Sequence, residues 1–200
     1  MSASFTSIDF TLPAWLDHFV SCRETCGSGE KARMEVAIEL ARRNVEEDLG
    51  GPFGAAIFES ETGRLVAAGV NRAMDQNCSV LHAEIVAIML AQRVWDTYTL
   101  SAPNVPALEL VSSCEPCGMC LGAICWSGLR RVICGAREED AVAVGLDEGP
   151  KPERWAEALR FRGIEVTRDV LRQEARGVLE FYVERGGEIY NGQPIRREDP

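Results

Sequence analysis

Two short stretches constrain this chain more than anything else in it: His82-Ala83-Glu84 and, further along, Pro116-Cys117-Gly118-Met119-Cys120. Zinc favours imidazole nitrogen and thiolate sulfur, and one histidine with two cysteines makes three ligands. Any fold must then bring two distant segments to one point. Cys117 and Cys120 stand at i and i+3, so one face of a helix presents both sulfurs to one ion. Pro116 suits the start of that helix, where its missing N–H goes unused. His82 opens a second stretch of helical period. Two helix N-termini are therefore expected to point at the metal, their positive ends favouring thiolates.

Three protein ligands leave a fourth tetrahedral position for water, which is how catalytic zinc differs from structural zinc. Zinc lowers the pKa of such a water towards about 7. Glu84, two residues from His82, is placed to face that water without ligating the metal and to carry protons to a leaving nitrogen. Cys114 is the alternative: as a fourth ligand it would close the site and make a structural zinc module for protein partners. That module would leave Glu84 without a task.

The chain has 200 residues, 46% of them apolar and 26% charged, enough for one domain 1–200 with a core of its own. No apolar run approaches the roughly 18 residues a spanning helix requires, and the first thirty residues lack the basic start and apolar stretch of a signal peptide. A soluble, cytoplasmic protein without a membrane partner is expected. The net charge of −10 argues against nucleic acid as a partner and for a small, weakly charged substrate. Of the eight cysteines, three crowd between Cys114 and Cys120, which is commoner in a metal site than in a disulfide framework. Cys22 and Cys26 read as buried or free thiols, Cys78, Cys125 and Cys134 as packing, and His18 as a helix-face histidine.

Apolar periodicity predicts helices over Leu12–Cys26, Glu30–Leu49, Leu81–Trp95, Cys117–Trp126, Arg154–Phe161 and Val170–Arg185. Strands are predicted at Phe53–Glu59, Arg64–Asn71, Ala107–Ser112, Arg131–Ala136 and Ile164–Thr167. Alternation after the opening hairpin argues for one mixed sheet covered by helices on both faces. Residues 1–29 form an N-terminal helical extension, 30–150 the core and 151–200 a C-terminal extension.

Between about Gly51 and Pro150 the sequence resembles the cytidine deaminase-like superfamily of zinc hydrolases, whose signature is His-x-Glu with Pro-Cys-x-x-Cys. The likeness includes Pro52-Phe53-Gly54-Ala55, Asn71 and Ser113-Cys114-Glu115-Pro116-Cys117. With Cys120-Leu121-Gly122-Ala123-Ile124, Trp126 and Gly145-Leu146-Asp147-Glu148 it looks most like the bacterial guanine deaminases. The resemblance implies an α/β/α sandwich around a five-stranded mixed sheet, one Zn²⁺ per subunit and a homodimer, in which C-terminal segments are exchanged between subunits in some members. It implies His82, Cys117 and Cys120 as metal ligands and Glu84 as proton shuttle. Phe53 and Trp126 become aromatic walls, and Asn71 and the Ala83 amide substrate contacts. Glu148 becomes the carboxylate that reads the base and helps to move protons, and Tyr190 is expected to reach a neighbouring subunit's pocket. Guanine offers two donors, N1–H and the 2-amino group, on one edge, and a carboxylate accepts both. The expected activity is hydrolytic deamination of guanine to xanthine and ammonia. Other amino-substituted rings (an amino-triazine such as ammeline, guanosine, cytidine) and tRNA adenosine are the alternatives.

Overall fold

The computed structural model of the protein describes residues 8–23 and 29–191. In chain order these form α1 (Trp15–Ser21), α2 (Glu30–Glu46), β1 (Gly54–Glu59), β2 (Leu65–Val70), α3 (Ala83–Val94), β3 (Leu108–Cys114), α4 (Gly118–Ser127), β4 (Arg131–Ala136), α5 (Glu138–Ala143), α6 (Trp155–Phe161), β5 (Glu165–Thr167) and α7 (Arg172–Glu184). The strands make one five-stranded sheet in the order β2-β1-β3-β4-β5. β1 is antiparallel to both β2 and β3, while β3, β4 and β5 run parallel. The expected mixed sheet between helical layers is thus present.

Why both faces are covered follows from the strands themselves. β2 and β3 are buried along their whole length, the pattern of a sheet with helices on each side. On β1, Ala56 and Phe58 face one core with Met34, Leu40, Val178 and Leu179 of α2 and α7. The alternate residues Ala55 and Ile57 face a second core with Ala87, Ile124 and Leu159 of α3, α4 and α6. The period-2 alternation of a strand assigns each residue to one layer.

The sequence reading differs from this fold in instructive places. Glu138–Ala143 is helical, and its six residues EEDAVA show too little apolar period to announce it. The helix is held instead by the Asp140 carboxylate, which accepts the Arg137 N–H at 2.8 Å and a bidentate pair from Arg172 at 2.8 and 2.9 Å. β3 runs on to Cys114 rather than ending at Ser112. The first helix is shorter than expected, and Cys26 lies outside the described residues.

Two close approaches decide where the site lies. A Cβ on Gly69 of β2 would stand 2.2 Å from the Ala83 carbonyl oxygen and 2.6 Å from the Ala87 nitrogen. The first turn of α3, which follows His82 and carries Glu84, can settle onto the sheet only because that side chain is missing. Gly69→Ala is therefore expected to cost about 1–3 kcal/mol, as overpacking does, and to lower the urea midpoint without changing the slope. An unchanged midpoint would contradict this seating of α3.

Candidate active site

His82 is the residue immediately before α3, with extended backbone (φ −71°, ψ 155°), and Cys117 occupies the same place before α4 (φ −66°, ψ 171°). Both side chains are thus presented at helix N-termini, as the two motifs predict. The His82 Nδ1 lies 3.4 Å from the Cys117 Sγ, and Cys117 accepts the Cys120 backbone N–H at 3.5 Å. The donor atoms of His82, Cys117 and Cys120 all fall within 4.8 Å of one another.

The titratable groups of this cluster shift one another strongly. The Cys120 thiol donates to Cys117, holding Cys117 as a thiolate with its pKa drawn down to about 4, while Cys120 itself is pushed up by that hydrogen bond and by burial. Burial pulls His82 down, but its bond to Cys117 and the negative charges around it leave it above its ordinary value. Burial, then the Cys117 charge, raise the Glu84 carboxyl. Burial, then Cys117 and Glu84, push Glu148 up to about 8. Two thiols and two carboxyls packed this closely oppose one another's ionisation, and a bound divalent ion would offset the charge of their ionised forms. One nitrogen and two sulfurs suit Zn²⁺ and leave one tetrahedral position open. The three residues fit the metal.

Cys114 does not join them. It ends β3, is fully buried, donates to the Arg137 carbonyl at 3.8 Å, and has its thiol pushed well up by burial. This overturns the reading of Cys114 as a fourth ligand.

Glu84 stands beside the cluster without belonging to it. Its Oε1 accepts from Ser112 Oγ at 3.4 Å, and its Oε2 lies 3.4 Å from the Cys120 Sγ. Phe53, Asn71, His82, Glu84, Cys117 and Glu148 line one pocket. Asn71 is held at the end of β2: its Oδ1 accepts the Ala73 N–H at 3.2 Å, which leaves its NH₂ group for a ligand. Ala83 is fully buried as the first residue of α3. Trp126 is in a different place from the one expected. It is 88% exposed at the far end of α4, outside the pocket of its own chain.

In the far wall, Tyr190 is the residue expected in a neighbouring subunit's pocket, and Tyr182 and Glu188 are not marked by the sequence at all. Tyr182 of α7 and the strap after it, including Glu188 and Tyr190, line the same pocket. Tyr182 Oη donates to the Glu188 carbonyl at 2.6 Å. Asn191 then grips the loop before Glu148, accepting from Asp147 N at 2.8 Å and donating to the Gly145 carbonyl at 2.9 Å. The described part of the C-terminal extension is seated on its own chain, and Tyr190 with it. No local pattern could announce these contacts, because each joins residues more than forty positions apart or depends on the turn after α7.

The cytidine and deoxycytidylate deaminase zinc-binding region matches residues 28–136. The chain belongs to that family. It is a zinc-dependent aminohydrolase. Over 112 residues it is 39% identical to the guanine deaminase of Bacillus subtilis (strain 168), covering 56% of this chain and 67% of that protein. A solved structure of the guanine deaminase of Nitrosomonas europaea is 45% identical with a TM-score of 0.86, covering 90% of this chain and 98% of that one. Another, of a protein in complex with 2,6-diaminopurine, is 47% identical with a TM-score of 0.85, covering 92% and 96%. No helix among the described residues is long and apolar enough to cross a membrane.

Proposed function

We propose that this zinc aminohydrolase converts guanine and water to xanthine and ammonia. The observation that carries the reading is Glu148, a buried carboxyl lining the pocket that holds His82, Glu84 and Cys117. A carboxylate accepts from both N1–H and the 2-amino group, the pair of donors that marks guanine's edge. The relatives named as guanine deaminases support it, as does a 46% identical structure in complex with 8-azaguanine, a ligand with the same edge. No lysine or arginine lines the pocket among the described residues, and Asp147 and Glu188 stand at its wall. Such a lining favours a neutral base over RNA, whose phosphates call for cations.

Zinc held by His82, Cys117 and Cys120 supplies the Lewis acidity that makes water a nucleophile near neutral pH. Phe53 packs on the purine ring, and the Asn71 NH₂ donates to a ring acceptor. The Ala83 amide, at the N-terminal end of α3, is the further backbone contact to the base. Glu84 accepts a proton from the attacking water and returns it to the ring nitrogen beside the reacting carbon. As the new C–O bond forms and the C–N bond breaks, the remaining proton passes by Glu84 or Glu148 to the leaving amine, which departs as ammonia. Glu148 lines the same pocket as Glu84 and is the second carboxyl that can pass a proton there. Ser112 holds Oε1 of Glu84, and Oε2, on the side of Cys120, would be the oxygen that moves the proton once Cys120 is committed to the metal.

The same reading takes residues 1–200 as one domain that works as a homodimer in the cytoplasm. Seven described cysteines are free, and thiol ligands suit a reducing compartment. For the dimer, α4 is the support: Gly118–Ser127 carries no charged residue, yet Met119 is 37% and Trp126 88% exposed. Two copies that each carry a net charge of −10 meet most easily through an uncharged face. Trp126 would then be covered by the second copy.

Two measurements test these statements. Glu84→Gln is expected to keep its zinc and lose about 10²–10⁴-fold in guanine turnover, the span of a proton-transfer catalyst; undiminished turnover would remove Glu84 from the reaction. Trp126→Glu is expected to shift sedimentation of the zinc-loaded protein from dimer to monomer. A monomeric wild type, or a variant that stays dimeric, would move the interface elsewhere.

A further inference from the structure

Lys151 is one of two lysines in the chain, and its side chain is only 3% exposed. Its ammonium donates to the Pro116 carbonyl at 3.2 Å, lies 3.1 Å from Glu138 Oε2 and 3.9 Å from Glu115 Oε2, and stands 5.4 Å from the centre of the Trp155 ring. Glu115 is buried too, with its Oε1 taking the Arg168 Nε–H at 2.6 Å and its Oε2 the Glu138 N–H at 3.3 Å. Burying an ammonium costs several kcal/mol unless it is paired and hydrogen-bonded, and here one carbonyl accepts from it while two carboxylates offset its charge. A compact point charge with three donors suits that task better than a planar fork.

The position of this ion in the chain gives it a consequence for the site. Pro116 and Glu115 immediately precede the metal ligand Cys117, and Lys151 lies three residues beyond Glu148. The two loops also meet directly. Gly118 N donates to the Glu148 carbonyl at 2.9 Å, and a Cβ on Gly118 would stand 2.4 Å from the Pro150 carbonyl oxygen. Backbone contact sets the two loops side by side, and the buried ammonium ties the Glu148 loop to the Pro116 carbonyl as well. Burial, Cys117 and Glu84 drive the Glu148 carboxyl towards its neutral form, while Lys151 acts in the opposite sense.

We propose that Lys151 is a positioning residue: it locks the loop that carries Glu148 onto the loop that carries Cys117, and so sets Glu148 against the reacting base. Lys151 touches neither substrate nor metal, and it acts through Glu148. The proposal rests on the role given to Glu148 above.

A double-mutant cycle on the zinc-loaded full chain tests it, with Lys151→Met, Glu148→Gln and the double variant. Lys151→Met removes the charge at similar length and leaves Glu115 with Arg168. The expected result is retained zinc, a kcat about tenfold lower with Glu148 present, and less than a twofold further loss in the Glu148→Gln background, the non-additivity of residues that act as a unit. Multiplicative losses, or an unchanged kcat in Lys151→Met, would overturn the proposal. Where Lys151→Met does not fold, Lys151→Arg carries the same cycle, since it keeps the charge but its planar fork misfits the site built for an ammonium. Failure of both to fold would make Lys151 a purely structural ion and also overturn it. The cycle is run on whichever amino-heterocycle the wild type turns over, so inactivity on guanine removes the substrate reading and leaves this test intact.

Discussion

The convergence of one imidazole and two thiols at the N-termini of α3 and α4 is the constraint on which the rest of the structure depends. Neither helix can be displaced along the sheet without separating His82 from Cys117, which stand 3.4 Å apart. β2 and β3 are both antiparallel to β1 and so point the same way, and α3 and α4, which follow them on one face of the sheet, begin at the same end of it. Their positive ends stabilise thiolate and carboxylate there. The burial that excludes water also raises Cys120, Glu84 and Glu148. A divalent ion resolves that conflict, and what remains is a site with two carboxyls beside one open coordination position.

Specific chemistry on this frame comes from what closes it. One side is the β1–β2 end, where Phe53 and Asn71 meet across the first hairpin; Asn71 N donates to the Phe53 carbonyl at 3.1 Å. The other side is built from the last third of the described chain. The loop with Glu148 is stitched to the metal loop through Gly118 and Lys151, and held from above by Asn191. Glu148 therefore sits between a rigid attachment and a strap from the C-terminal segment. In the proposed function, base reading and proton transfer both depend on this loop, although it carries no regular structure of its own.

Much of this was legible in the residues. The spacing of His82, Glu84, Cys117 and Cys120 fixes the metal chemistry before any fold is known, because few other uses exist for that set of donors at two helix starts. Long apolar periods located α2, α3 and α4, and β-branched and small apolar runs located the strands. What escaped notice depends on charge and distance in space. α5 is stabilised by Asp140 and Arg172, thirty-two positions apart, and no periodicity reports such a pair. Trp126 was assigned to the pocket by likeness of motif, yet α4 turns it outward after two more turns. Tyr182 and Glu188 reach the site, and Lys151 the loop beside it, only through folding of the C-terminal third, where the sequence offers no motif. Cys114 stood close to Cys117 in sequence, but the run of β3 carries its sulfur away.

The central claim is a three-ligand zinc site with an open position, and the zinc K-edge X-ray absorption spectrum of the metal-loaded protein tests it most directly. The account predicts two sulfur neighbours at about 2.3 Å and two lighter N/O neighbours at about 2.0–2.1 Å, one from His82 and one exchangeable. Addition of a purine ligand should perturb only the light-atom shell. Three sulfur neighbours, unchanged by ligand, would mean a closed structural site and would contradict the account.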